Sequence, residues 1–346
     1  MVLHARQVAA RRPSGRHIAV AVMVAAACAA APSQVQAQQV TMKFATQTIN
    51  DVQHEFIKVY KAELEKATNG RMQVGVFPAS QLGGQQRQTE GLRLGTIEAA
   101  IGPGELFAGA DPRFGGLALA GLFNDNDHTR RVMAMPAVRK ALSDVASSRN
   151  LLLLAINVYG PQAIVFKTPV TNLPGFAGKR IRVLATESEQ AMIKALGGAP
   201  VPMSLPEVLP ALQQGTLDGV NAVLGVFVAF KYQDVAPNLL DTHLWPIISL
   251  SLVSKVWYNQ LPADLQKAVV ETGVKVEPEM DKWQTARLAS DGEAWTSKGG
   301  KVARLSPAEQ QDAVRRATAA IQPILDKDAA LKAFYDTIKA SAEKVK

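Results

Sequence analysis

Arg182 is the residue of this chain whose setting most plainly demands a chemical partner. It stands in GKRIRVL, where strand alternation puts Arg180 and Arg182 on one face and Ile181 and Val183 on the other. Arg180 falls at the wet start of the strand. Arg182 is flanked by aliphatics in its middle, where an unpaired guanidinium is costly to bury. A carboxylate must meet it, either the protein's own in an internal ion pair or one brought by a ligand, and the residues alone leave both open. Other chemistry is thin. Beyond residue 37 the histidines are His54, His128 and His243, far apart and without the i, i+4 partner that a helical metal site uses. The sequence has no G-x-S-x-G elbow, no phosphate-binding G-x-x-x-x-G-K-[ST] loop and no G-x-G-x-x-G after a strand. Gly83 and Gly84 precede a helix and could offer amides to an anion, although turn geometry explains the pair equally well. A two-lobed hydrolase or transferase would therefore lack an evident nucleophile or metal, and the expectation is a protein that is not an enzyme and carries no cofactor.

The elements that must hold Arg182 alternate between strand and helix. VTMKFAT reads as a strand, and VQHEFIKVYKAELEKATNG as a helix with Phe56, Val59, Tyr60 and Leu64 on one face and Asn69-Gly70 as its stop. MQVGVFP, QQRQTEGLRL and IEAAIG complete a β-α-β-α-β order. A helix interrupted at Pro136 and the apolar strand NLLLLAINV follow, and after Gly160 the pattern restarts with AIVFK, KRIRVL, SEQAMIKALGG, APVPM, LPEVLPALQQ and LDGVNAV. EGLRLGTIEAA and PALQQGTLDGV echo one another. In each, a glycine ends a helix in the left-handed conformation, and Thr and an aliphatic then open a strand. HLWPIISLSLVSKVWYNQL is apolar and extended, LPADLQKAVVETGVKVEPEMDKWQTARLASDGEAWTSKGG is a long helix with Pro278 as a kink, and SPAE over 306–309 is a capping box opening another helix.

The chain has 346 residues, 47% of them apolar, enough to bury one large or two medium cores. Its first 37 residues carry four arginines and no acid, then IAVAVMVAAACAAA, then small and polar residues ending VQA, which is the pattern of a secretory signal cleaved after Ala37. The apolar run is about 14 residues, short of the roughly 20 that span a bilayer. A lipoprotein site at Cys28 and a twin-arginine signal at Arg11-Arg12 are alternatives, and all of these export routes lead out of the cytoplasm. Cleavage lowers the formal charge from +8 to +4 and removes Cys28, the only cysteine. The remaining basic residues are scattered, which argues against nucleic acid as a partner.

VFPASQLGGQQRQTEGLRLGTIEAAIG, LALAGLFNDNDHTRRVM, LPGFAGKRIRVLATESEQAMIKALGGAPVPMSLPEVLPALQQGTLDGV and VSKVWYNQLPADLQKAV, in this order, resemble the solute-binding proteins of tripartite ATP-independent periplasmic (TRAP) transporters, the DctP-like class. The resemblance runs from Val40 into the C-terminal helices. It implies an α/β, two-lobed periplasmic-binding-protein-like fold with a ligand cleft between the lobes and long C-terminal helices. Residues 38–159 with 248–287 would form lobe I, and 160–247 with 288–346 lobe II. It also implies a periplasmic protein that captures a small organic acid and delivers it to TRAP membrane permease subunits, or a sensing subunit with the same cleft. The family's carboxylate-binding arginine corresponds to Arg182, where a planar fork offers paired donors to a carboxylate.

This chain departs from the family pattern at three places. Gln162 follows Gly160-Pro161 where many acid-binding members carry a second arginine, Leu205 replaces a frequent aromatic, and Asn221 in DGVNAV sits one position early for a DGxEN pattern. Loops facing the gap between lobes add Gln47, Gly104 and Glu105 to the expected ligand contacts. An acid at Glu105 would repel a carboxylate unless it met a hydroxyl, an amine or a cation.

Overall fold

The computed structural model describes residues 39–345 apart from Leu119. The signal expected over 1–37 lies outside the described residues. The chain opens with β1 (Val40–Thr46), α1 (Val52–Ala67), β2 (Met72–Phe77), α2 (Gln85–Leu94) and β3 (Ala99–Pro103), the order read from the sequence. Phe56, Tyr60 and Leu64 of α1 are fully buried, Val59 only partly, and the rings of Phe56 and Tyr60 pack on Phe44 of β1. Two 3-10 turns, Gly104–Gly109 and Pro112–Leu117, lead to α3 (Asn126–Ala134) and α4 (Pro136–Ser147). The break falls at Pro136 because its missing N–H is harmless only in a first turn.

The restart expected after Gly160 does not break the strand. β4 (Leu151–Phe166) runs continuously for 16 residues, because Gly160 at φ +147 lets the backbone jog where a β-branched or aromatic residue would be strained. The pairing with β9 shifts register between Val158 and Gly160. β5 (Arg180–Val183), α5 (Glu187–Ala195), β6 (Ala199–Pro202), α6 (Leu205–Gln213) and β7 (Gly219–Val223) follow, then α7 (Leu224–Ala229), β8 (Asn238–Asp241) and β9 (Pro246–Ser254). The chain ends with α8 (Lys255–Tyr258), α9 (Ala263–Ser297), β10 (Lys301–Arg304), α10 (Pro307–Lys327) and α11 (Ala329–Ala342).

The strands order as β2-β1-β3-β9-β4-β7-β5-β6, with β8 pairing both β4 and β10. β1 is parallel to β2 and β3 at one end, and β5 is parallel to β6 and β7 at the other. The antiparallel pair β4 and β9 joins the two groups. α9 packs on α1 and β4 as well as on α7, so a strand pair and a 35-residue helix tie both groups together. α10 packs on α5, whereas α11, within the segment expected to belong to the second lobe, lies against α3 and α4 of the first.

The sequence echo is a structural repeat. Gly95 and Gly215 have φ of 78° and 76°. Thr96 and Ile97 both donate their amides to the Gly91 carbonyl, as Thr216 and Leu217 do to that of Ala211. The strands open later than expected, at Ala99 and Gly219, because the acid between joint and strand has another task. Glu98 accepts the amide of Lys43 in β1 at 2.7 Å, and Asp218 accepts that of Arg180 at the start of β5 at 2.9 Å. Each copy therefore stops a helix and fixes the neighbouring strand whose far end reaches the site.

Candidate functional site

Ligand sites in α/β sheets form outside the carboxyl ends of parallel strands, where loops diverge around a gap. Here Gln47 follows β1, Glu105 follows β3, Leu184 follows β5 and Met203 follows β6, and all line one cleft of about 1260 Å³. A smaller recess at its inner end is lined by Gln53, Tyr159, Arg182, Glu189, Leu205 and Asn221, among others.

Arg182 lines both spaces and is 3% exposed. Its Nε donates to the carbonyl of Met203 at 3.0 Å and its Nη1 to that of Asn221 at 3.3 Å. Arg180, two residues earlier, instead forms a half-exposed pair with Asp218 through Nη2 at 2.8 Å. The contrast expected between Arg180 at the wet start of the strand and Arg182 enclosed in its middle is thus seen, and only Arg182 reaches the cleft. Burial pulls Arg182 below the usual arginine range, while Glu189, Tyr232 and Glu105 act in the opposite direction. Carbonyls hold the guanidinium in place without neutralising it, so its positive charge stays available to an anion.

Two buried acids flank it. Glu189, in the first turn of α5, accepts the Leu184 amide at 2.6 Å and the Asn221 side-chain amide at 3.0 Å. Its carboxyl is pushed up to about 7 by burial, against the pull of Arg182 and these hydrogen bonds. Glu105 is 1% exposed, and neither of its oxygens has a hydrogen-bond partner beyond an approach by its own backbone amide. Burial and the nearby Glu189 raise it to about 8.

Amides make up much of the remaining wall. Gln47 donates to Oε1 of Gln85 at 2.5 Å, and Gln85 donates to the Leu106 carbonyl at 2.7 Å. Gln53 takes hydrogen bonds from the hydroxyls of Thr46 and Thr48 and donates to Ser249 at 3.0 Å. The rims approach at Ser188, whose hydroxyl lies 3.4 Å from the carbonyl of Gly115.

The expected contacts are therefore distributed unevenly. Arg182, Gln47 and Glu105 line the cleft, and Leu205 and Asn221 line its inner recess. Gln162, expected at the ligand's far end, is fully buried behind Asn221. It donates to Oδ1 of Asn221 and accepts the Thr242 hydroxyl at 2.5 Å, because continuous β4 turns its side chain toward β7 and not into the gap. Gly104 also stands behind the wall, where a Cβ would strike Leu117 and Leu250. Glu189 was missed by sequence reasoning, since helical periodicity absorbed it. The T-x-x-E pattern of Thr186 and Glu189 was the available signal: Thr186 caps Glu189's amide at 3.3 Å, while the Glu189 carboxylate bonds Leu184 and Asn221. The three histidines among the described residues have structural roles. His128 accepts the Asn124 amide and meets the carbonyl of Ala342, His54 accepts the Asn50 amide, and His243 pairs with Asp241.

Comparisons with known proteins agree with this geometry. The DctP model, described as bacterial extracellular solute-binding protein, family 7, matches residues 44–328. The 2,3-diketo-L-gulonate-binding periplasmic protein YiaO of Escherichia coli K12 is 26% identical over 277 residues, covering 80% of this chain and 83% of that protein. A TRAP periplasmic solute-binding protein of Xanthobacter autotrophicus, solved with bound β-D-galacturonate, superposes with a TM-score of 0.79 at 26% identity, covering 86% of this chain and 99% of that one. One of Haemophilus influenzae, solved with bound L-gulonate, gives 0.83 at 22% identity over 88% of this chain and all of that one, a likeness of fold. The fold is the two-lobed α/β architecture of these proteins, whose members are binders and not enzymes. With a buried, carbonyl-held arginine in a cleft at the strand ends and a family match over most of its length, this chain belongs to the DctP family of bacterial extracellular solute-binding proteins.

Proposed function

We propose that the protein captures a hydroxylated monocarboxylic acid of the sugar-acid class and hands it to the membrane subunits of a TRAP permease. Delivery to such a permease is the role of the family. The observation that carries the ligand class is Arg182, buried with its identified hydrogen bonds on carbonyls, so that a ligand carboxylate completes its fork. Glu189 stands close to it and disfavours a second carboxylate at the same depth, whereas the amides of Gln47, Gln53 and Gln85 suit hydroxyls. The acids bound by two of the relatives named above, a diketogulonate and a galacturonate, are of this kind. The two lobes expected from the sequence enclose the cleft and close by hinge motion about β4 and β9. The protein works outside the cytoplasm after cleavage following Ala37. Among the described residues, no helix is long and apolar enough to cross a membrane.

A thermal-shift panel followed by calorimetry tests this reading. Galacturonate, gulonate, galactonate, succinate and a neutral hexose are the probes. A ligand at about 100 times its Kd adds roughly 2.7 kcal/mol of stability, a readable shift. Sugar acids are expected to stabilise and the hexose not to. Preference for succinate, or no response to any acid, would overturn the ligand class.

A further inference from the structure

An acid anion entering this cleft meets an unusual balance of charge. The charged residues lining the inner recess are Arg182 and Glu189, with Glu105 in the adjoining cleft wall. A ligand carboxylate is thus a third acid beside a single guanidinium, in surroundings where water screens little. The two resident acids are not equivalent. Glu189 accepts a backbone amide and the Asn221 amide, both of which favour its ionised form. Glu105 has neither a donor side chain nor water-exposed oxygens.

The elements packed on the turn that carries Glu105 bring little compensation. β3 and β9 contribute no titratable residue. The Pro112–Leu117 turn contributes Arg113, engaged with Asp111 through paired hydrogen bonds of 2.9 and 2.7 Å. α2 brings Arg87, Glu90 and Arg93, and with Lys43 and Glu207 the first two line the wider part of the cleft. Across the gap, Glu189 opposes Glu105 and Arg182 attracts it. Tyr232, buried with its hydroxyl unpartnered, faces Arg182.

We infer that the binding-competent site carries a proton on Glu105, so that capture of an acid anion is coupled to proton uptake from solvent wherever the empty site has lost that proton. This rests on the acid-binding reading above. A neutral carboxyl removes the repulsion and offers the ligand an O–H donor beside the Arg182 fork, as a carboxylic acid kept neutral in an apolar site can. Burial, with Glu189 opposite, raises Glu105 to about 8, which makes this state dominant at neutral pH. Affinity should then be flat below pH 8 and fall above it by roughly tenfold per unit until the bound form also ionises.

Two measurements test it. Carbon-13 NMR of the ligand-free protein labelled at the glutamate carboxyls should show, beside that of Glu189, a second resonance titrating far above the ordinary glutamate range and absent in Glu105→Gln. If every carboxyl other than that of Glu189 is ionised by pH 6, the proton is not there. Calorimetry with galacturonate at pH 9, in buffers of differing ionisation enthalpy, should show close to one proton taken up per ligand by the parent and none by Glu105→Gln. Binding without uptake in the parent would overturn the coupling while leaving the acid-binding reading intact. The high-titrating carboxyl without binding of galacturonate, gulonate or galactonate at any pH would sink the acid-binding reading and the coupling together, leaving only the buried proton.

Discussion

The carbonyl oxygen of Asn221 accepts a hydrogen bond from Nη1 of Arg182 at 3.3 Å, so the guanidinium is aimed by the backbone of β7 and not by an acid. A carbonyl fixes direction but carries no net charge. β5 and β7 pair in parallel at Arg182 and Val220, which sets the position of this contact through main-chain geometry. The arginine is therefore preorganised before a ligand arrives, and little side-chain entropy remains to be lost on binding.

The chain Thr242, Gln162, Asn221 and Glu189, linked by buried hydrogen bonds, holds that backbone from behind. Gln162→Ala leaves the Thr242 hydroxyl and Oδ1 of Asn221 without these partners in a site closed to water. It should lower stability by about 1–3 kcal/mol and weaken acid binding without touching the ligand. Urea unfolding and calorimetry on the same variant check both. Unchanged stability would mean that these hydrogen bonds do not support the fold.

Glu105 gives stability a pH dependence opposite to that of most carboxyls. Its folded-state value is raised from 4.5 to about 8, so between those values the folded protein holds a proton that the unfolded chain has released. Its contribution therefore favours folding below about pH 4.5, is lost as pH rises through that window, and is flat above pH 8. Glu105→Gln removes the dependence. The stability of the variant relative to the parent should grow by roughly 3 to 5 kcal/mol between pH 5 and pH 8. Urea melts at pH 5, 7 and 9 measure it, and a constant difference would contradict the protonated, unpartnered state of Glu105.

Much of this arrangement could be read in the sequence, for identifiable reasons. Periodicity placed α1 and the parallel strands, and position along the strand, at its wet start or among aliphatics in its middle, distinguished Arg180 from Arg182, because both signals are local. The echo showed where helices end because left-handed glycine leaves a mark in sequence. What it did not show is long-range. Gln162 was expected to meet the ligand, yet whether its side chain points into the gap or toward Asn221 depends on β4 continuing through Gly160, which is set by pairing with β9 and β7. Glu189 looked like an ordinary helix-start acid, and its proximity to Arg182 follows from the fold of the loop after β5. The packing of α11 on α3 and α4 joins segments that local patterns cannot connect.

The echoed acids supply an ordinary pH dependence for contrast. Asp218 is held down at about 2, chiefly by its hydrogen bond from the Arg180 guanidinium, and it also accepts the Arg180 amide. A depressed carboxyl contributes stability that is present above about pH 4 and lost as pH falls through 2. The pair is partly exposed, with 45% of the Arg180 side chain accessible, so Asp218→Ala should cost only about 1 kcal/mol at pH 7. The loss should vanish near pH 2. Thermal melts across pH 2 to 7 distinguish this from a pH-independent packing defect.

Arg182 is where the account is most exposed to test. Calorimetric titration of the parent and of Arg182→Ala, with the panel acid that binds the parent most tightly, should show a loss of roughly 2 to 5 kcal/mol in binding free energy. Arg182→Lys should recover only part of it, since a point charge does not reproduce a planar fork. An Arg182→Ala protein that is folded by circular dichroism and binds the acid as tightly as the parent would contradict the central claim that this buried guanidinium is the anchor for the ligand's carboxylate.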